Sequence, residues 1–120
     1  MERLTGKLTV VFEQGDVIRV PFPYTDKATR QHRPALVVSR KELGEGPPLL
    51  WVAMITSAGN RSWADDVPID DLQAAGLPAP SIVRPCKIAT IEARHAERLG
   101  QIAPALMARV GAIIYAYIGA

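Results

Sequence analysis

The sequence predicts a small, mainly β domain of five to seven short strands with one helix at its C-terminus. Short apolar runs are separated by glycine, proline and polar clusters, which is typical of β-strands with tight connections. Helical periodicity extends over several turns only near the C-terminus. The chain has 120 residues, of which 48% are hydrophobic and 22% are charged, and this balance favours one folded domain.

The first two strands are predicted on either side of a polar segment. Residues 16–23 read DVIRVPFP, a short strand whose end is marked by Pro21 and Pro23. Residues 24–33 are polar and basic, and their apolar residues follow neither the helical period nor the strand period, so we expect an exposed loop. Residues 34–39 read PALVVS, which predicts a strand buried on both sides.

The middle of the chain predicts the central strand and the edge of the sheet. Residues 49–56, LLWVAMIT, form the most hydrophobic strand, which we expect to be central. A flexible loop follows at residues 57–62, and residues 66–69 predict a short edge strand. Residues 70–75 allow at most one turn of helix.

The last third of the chain predicts two strands and the helix. Residues 81–91 form a long strand, in which Pro85 indicates an edge or a bulge, and residues 99–102 add a short one. Pro104 suits the first helical position, and Gly119 can end the helix. These elements suit a small SH3-like barrel with a helix packed on it. The predicted apolar face of the helix comprises Leu106, Val110, Ile113, Ile114, Tyr117 and Ile118.

The single cysteine and the N-terminal sequence restrict the cellular setting. Cys86 cannot form an intramolecular disulfide, and we interpret it as a small buried residue. The sequence has no apolar leader and no run long enough for a membrane span, so we expect a cytoplasmic protein. Trp51 and Trp63 are expected in the core or in a dimer interface.

Charge and the available functional groups favour a polyanionic substrate. The net charge is only +2, but Lys27, Arg30, Arg33, Arg40 and Lys41 form a basic stretch, which is weak evidence for such a partner. With two histidines and no glycine-rich phosphate loop, most common catalytic motifs are absent from the sequence. A basic loop, a Thr-Ser pair and a neighbouring arginine remain, and they suit a phosphodiester, because arginine can hold two of its oxygens.

Six segments in order and spacing resemble the MazF/PemK toxin family of type II toxin-antitoxin systems. The similarity extends from about residue 15 to residue 118. The segments are GDVIRVPFPYTD (15–26), RPALVVS (33–39), ITS (55–57), DVPI (66–69), AGLP (75–78) and SIVR (81–84). Residues 1–14 then form an N-terminal extension and residues 15–120 the toxin domain.

The resemblance implies an endoribonuclease, a nuclease of the hydrolase class, that needs no metal or other cofactor. Such an enzyme cleaves single-stranded RNA through the RNA's own 2′-OH and leaves a 2′,3′-cyclic phosphate and a 5′-hydroxyl. The resemblance further implies a homodimer and a cognate antitoxin that blocks the RNA groove.

The resemblance also assigns the site residues. Arg33 would stabilise the phosphate, and the Thr56 hydroxyl would bind the same group. Ser57 is expected either to be catalytic or to form a turn. Arg84 is expected either to be catalytic or to form a structural ion pair. His32, a candidate RNA contact, could also carry a proton. The remaining expected RNA contacts are Arg19, Tyr24, Lys27, Arg30 and Arg61.

Two carboxylates found in some members are missing here, at residues 28–32 and directly after Arg84. Asp26, Asp16 or a water-assisted route would have to substitute for them, or the protein is a catalytically weak RNA-binding relative. A gyrase poison on the same fold is a further alternative. Gyrase-poisoning relatives end in Trp-Gly-Ile, whereas this chain ends in AYIGA.

Overall fold

The computed structural model describes residues 11–21 and 31–119. Six antiparallel strands form one curled sheet in the order β4-β5-β3-β2-β1-β6, so the prediction of a mainly β fold with a C-terminal helix is confirmed. The elements are β1 (Asp16–Pro21), β2 (His32–Val37), β3 (Leu49–Ser57), β4 (Val67–Pro68), α1 (Leu72–Ala75), β5 (Ser81–Glu92), a 3-10 turn (Ala93–His95), β6 (Glu97–Gln101) and α2 (Pro104–Ile118).

The sheet buries apolar side chains on both faces. Successive strand residues point to opposite faces, and Val17 and Ile18 accordingly belong to two different core clusters. Helix α2 covers one cluster with Met107 and Val110, and Phe12 packs into the other. Burial on both sides explains why the strands read as continuous apolar runs.

Helix α2 begins and ends where the sequence predicts. Pro104 occupies its first turn, and Gly119 ends it in the left-handed conformation with φ 76°. The predicted apolar face is buried only in part, because Val110 is buried whereas Tyr117 and Ile118 are 63% and 71% exposed. The periodicity predicted the direction of the face correctly but not how far the sheet covers it.

Helix α1 lies backbone to backbone against β6. A Cβ atom on Gly76 would lie 2.1 Å from the Leu99 carbonyl oxygen, and one on Gly100 would lie 2.3 Å from the Ala74 carbonyl oxygen. Gly76 also has a φ of 72°, which favours glycine. The contact therefore fixes α1 and the turn after it on the sheet.

The β3–β5 pairing contains the bulge that Pro85 predicts. Ala53 pairs with Ile88 while the next residue, Met54, pairs with Arg84, so β5 carries three extra residues at this point. Strand β4 pairs with β5 only at Ile82 and Val83, so no described strand flanks Pro85 on that side, and the alternative of an edge position also fits. The bulge leaves Cys86 exposed, which corrects the expectation of a buried thiol.

Further expectations are corrected by the structure. Strand β2 begins at His32, so His32 and Arg33 lie in a strand rather than in a loop. Trp51 and Trp63 are 49% and 43% exposed, so neither lies in the core, and a place in a dimer interface stays a prediction for both. Within the described ranges, no helix has the length and apolarity needed to cross a membrane.

Candidate functional site

A cleft opens where β2 and β3 separate. The two strands pair only from Ala35 to Val37 and from Val52 to Met54. The first residues of β2 pair with β1 instead, and the last residues of β3 pair with β5. The strands diverge because each follows its other neighbour around the curl of the sheet.

This cleft, the strand cleft, has a volume of about 470 Å³. Its walls come from the start of β2, the end of β3 and the turn before β5. The described residues that line it are Gln31, His32, Arg33, Pro34, Ile55, Thr56, Ser57, Asn60, Leu77, Pro78, Ala79, Pro80 and Ser81.

The strand cleft brings together Arg33, Thr56 and Ser57, three of the four residues expected to be catalytic. Ala35 and Met54 form the last β2–β3 pair before the strands diverge. Arg33 and Thr56 each lie two residues beyond this pair, on the two strands that border the opening. The Arg33 side chain is exposed, and its guanidinium donates a 3.5 Å hydrogen bond to Gln31 Oε1. A guanidinium and a hydroxyl therefore face the same open space.

The Thr56 hydroxyl has a partner that the sequence analysis missed. Asn60 Nδ2 donates a hydrogen bond of 2.5 Å to Thr56 Oγ1, and Asn60 also lines the strand cleft. A hydroxyl has one donor hydrogen as well as its acceptor lone pairs. With Asn60 on the acceptor side, the Thr56 hydrogen remains available to a bound anion. The only signal in the sequence was an amide residue in the loop after the Thr-Ser pair.

Ser57 and Ser81 contribute hydroxyl groups that already serve local turns. Ser57 Oγ accepts a 3.2 Å hydrogen bond from the Gly59 amide, and Ser81 Oγ donates one of 2.8 Å to the Ala79 carbonyl. Both keep hydrogen-bonding capacity toward the cleft. The Ser57 geometry fits the turn-forming role and leaves its hydroxyl hydrogen for a ligand.

The charge of the strand cleft suits an anion. Its described lining contains Arg33 and His32 and no aspartate or glutamate. Three hydroxyl groups and two side-chain amides add neutral donors. An anion with several oxygens, such as a phosphodiester, can therefore bind here without repulsion from a nearby carboxylate.

Arg84, the fourth residue expected to be catalytic, does not line the strand cleft. Its guanidinium is largely buried and donates two hydrogen bonds of 3.1 Å to the Asp66 carboxylate and one of 2.7 Å to the Arg61 carbonyl. It also stacks 4.4 Å from the ring centre of Trp63. These contacts attach the loop that carries Asn60 to β5.

The Asp66 carboxylate keeps its charge in this arrangement. Burial alone would raise its pKa, but the hydrogen bonds from Arg84 and from the Trp63 amide outweigh burial and lower the pKa of Asp66 below its ordinary value. Arg84 and Asp66 thus form a charged pair at neutral pH.

The expected RNA contacts are distributed unevenly. His32 lines the strand cleft, whereas Arg19 lies beside it and forms an ion pair with Glu97. Arg61 is exposed and does not line the cleft. Tyr24, Lys27 and Arg30 lie outside the described residues, as does Asp26.

Asp16, considered as a substitute base, is placed elsewhere. Its side chain is fully buried and accepts a hydrogen bond of 2.8 Å from the Glu13 amide. Arg98 and Gln101 of β6 approach it at 3.5 Å and 3.4 Å. Asp16 therefore joins β1 to β6 and does not reach the strand cleft.

The chain matches a known protein family over most of its length. The family described as PemK-like, MazF-like toxin of type II toxin-antitoxin system matches residues 13–118. No curated protein matches the chain.

Solved structures share the fold at low sequence identity. MazF from Deinococcus radiodurans is 20% identical with a TM-score of 0.66, covering 92% of this chain and 98% of its own. A chain of a MazE-MazF complex from the same organism is 18% identical with a TM-score of 0.65, and the match covers 91% of this chain and 96% of that one. An endoribonuclease in complex with its cognate antitoxin from Mycobacterial species is 19% identical with a TM-score of 0.68. This match covers 90% of this chain and 95% of that one.

Proposed function

Because the chain belongs to the PemK-like, MazF-like toxin family of type II toxin-antitoxin systems, we propose that it is an endoribonuclease that cleaves single-stranded RNA without a metal. One observation carries the proposal: Arg33 and Thr56 face one open cleft whose described lining has no acidic residue. A phosphodiester is the part of RNA that such a cleft suits.

The proposed reaction uses the RNA's own nucleophile. The 2′-oxygen attacks the adjacent phosphorus, the bond from phosphorus to the 5′-oxygen breaks, and the products are a 2′,3′-cyclic phosphate and a 5′-hydroxyl. The proton of the 2′-OH passes to a base, and the leaving 5′-oxygen takes up a proton. The protein supplies these proton transfers and stabilises the charge that develops on the phosphorane.

Arg33 and Thr56 serve the charged transition state. The planar guanidinium of Arg33 can donate two parallel hydrogen bonds to the non-bridging oxygens. The Thr56 hydroxyl donates to one of these oxygens, and Asn60 holds it in that orientation. Ser57 adds a further donor, while Arg84 is a positioning residue that holds the Asn60 loop through Asp66.

His32 is the proposed proton carrier, because an imidazole both accepts and donates protons near neutral pH and His32 lines the strand cleft. We expect His32→Gln to slow cleavage by about 100-fold, the lower end for loss of a general acid or base. The matched control is His95→Gln, since His95 is exposed and lies outside the strand cleft. Equal rates for the two variants would remove His32 from the proton transfers.

The proposal extends to partners and location. A cognate antitoxin would block the RNA groove. The similar endoribonuclease from Mycobacterial species forms a complex with its cognate antitoxin, which supports a partner of this kind. Exposed apolar side chains on β3 and α2 support a homodimer. A cytoplasmic location would give the enzyme access to its RNA.

The test is the chemistry of the cut ends. Purified protein is incubated with single-stranded RNA in EDTA, and the 5′-hydroxyl ends are sequenced. The proposal requires cleavage that leaves cyclic phosphates, and it requires that a 2′-deoxyribose at the cleaved position stops the reaction. Cleavage of the deoxy substrate, dependence on added metal or the absence of products would each contradict it.

A further inference from the structure

A second cleft, the side cleft, continues the strand cleft. It has a volume of about 550 Å³. The two clefts share His32, Pro34, Leu77 and Pro78, so a ligand can extend from one into the other. The other described residues that line the side cleft are Arg19, Leu72, Gln73, Gly76 and Leu99.

The wall formed by α1 is rigid. Gly76 and Gly100 allow the backbones of α1 and β6 to touch, and the Leu77 amide donates a 2.9 Å hydrogen bond to the Leu72 carbonyl. Leu77 is buried, and the partly buried Leu72 packs against the core. Sites on such fixed elements hold their geometry better than sites on loops.

The side cleft combines apolar walls with a few polar groups. Pro34, Leu72 and Leu99 offer apolar surface, whereas Gln73 and Arg19 provide an amide and a guanidinium. None of its described lining residues is acidic. A flat ring with an apolar face and hydrogen-bonding edges suits this combination.

Single-stranded RNA presents such a ring beside every phosphate. Unstacked bases bind to proteins by stacking on histidine rings or arginine planes and by hydrogen bonds along their edges. His32 stands at the boundary of the two clefts, and glutamine can both donate to and accept from a base edge. The connection of the clefts sets a base next to a phosphate bound at Arg33.

Resting on the proposed function, we infer that the side cleft binds the base of a nucleotide flanking the cleaved phosphodiester, with Gln73 contributing to base choice. The side cleft then determines part of the cleaved sequence, while the strand cleft performs the reaction.

The test fills the side cleft and removes the base. Gln73→Trp places a large ring in the cleft from an exposed helix position, and Ala74→Trp, at the next exposed position of α1 and outside both clefts, is the matched control. The substrates are an oligoribonucleotide with the sequence found at wild-type cleavage sites and copies in which one flanking base is absent.

For the wild type and Ala74→Trp, loss of one particular flanking base is expected to slow cleavage by about tenfold, the order of one base contact. Gln73→Trp should slow cleavage of the intact strand by a similar factor and lose that sensitivity. A Gln73→Trp enzyme with the wild-type rate and the wild-type base sensitivity would overturn this inference but not the proposed function. Wild-type protein that cuts no RNA would instead overturn the proposed function.

Discussion

At the scale of single residues, the contrast between Arg33 and Arg84 defines the site. Arg33 is exposed on the strand cleft, whereas Arg84 is buried against Asp66 and Trp63. The sequence could not show which of the two arginines is exposed. Arg33 directly precedes an apolar strand segment and Arg84 directly follows one, and both belong to motifs that resemble the same family. The difference depends on the β5 bulge and on the path of the Asn60 loop, which are tertiary features.

The Arg84–Asp66 pair makes a pH-dependent prediction. Because the contacts with Arg84 and the Trp63 amide lower the folded pKa of Asp66, the pair contributes stability that is present above the ordinary pKa of an aspartate and is lost as the pH falls through the folded pKa. Asp66→Asn should lower the free energy of unfolding by about 2 kcal/mol at neutral pH, as expected for hydrogen bonds to charged groups. Urea unfolding from neutral pH to about pH 3 measures this difference. The difference should shrink toward the acid end, and a constant difference would contradict the assignment.

At the scale of secondary structure, the sequence predicted most elements, including both ends of helix α2, and misplaced the limits of some strands. Helix α2 and strands β3 and β5 were evident because period and turn residues are local properties. The sequence analysis missed the start of β2 at His32, since residues 24–33 lack a strand period and the pairing of His32 with Pro21 is a contact between strands. The strand cleft was not predicted for the same reason. It exists because β2 and β3 diverge after pairing over three residues each, which is a property of the folded sheet.

The contact between α1 and β6 makes the second prediction. Gly100→Ala should lower the free energy of unfolding by about 2 kcal/mol or more, because a Cβ atom would lie 2.3 Å from the Ala74 carbonyl oxygen. Gly46→Ala is the matched control: nothing lies within 4 Å of its added Cβ atom, its φ is not positive, and the smaller freedom of the unfolded chain should raise stability by about 0.4 to 1 kcal/mol. Denaturant unfolding compares the two variants. Equal effects would show that α1 does not rest on β6 as described.

At the scale of the whole molecule, the described residues leave an apolar surface exposed beside helix α2. A groove of about 440 Å³ lies between α2 and the neighbouring strands, with Trp51, Tyr115 and Ile118 among its lining residues. These three side chains are 49%, 63% and 71% exposed. The helical periodicity revealed the apolar stripe, but no pattern in one chain shows what covers it. We propose that a second copy of the chain does so.

The proposed dimer predicts the effect of a charge in this groove. Wild-type protein should show twice the mass of the chain by light scattering, and Ile118→Arg should show the mass of one chain with unchanged circular dichroism. Ala112→Arg, an exposed position on α2 that does not line the groove, should remain dimeric. A dimeric Ile118→Arg protein or a monomeric wild type would contradict the proposed interface.

The central claim is that Arg33 and Thr56 act on one phosphodiester, and a double-mutant cycle of RNA cleavage rates tests it most directly. In EDTA, Arg33→Ala and Thr56→Val should each slow cleavage by about 100-fold, as loss of a transition-state donor does. The double variant should lose less than the product of the two factors, because both groups stabilise the same charge. Arg109→Ala, an exposed arginine of α2 outside the cleft, should retain the wild-type rate. Full activity of Arg33→Ala, or losses that simply multiply, would contradict the account.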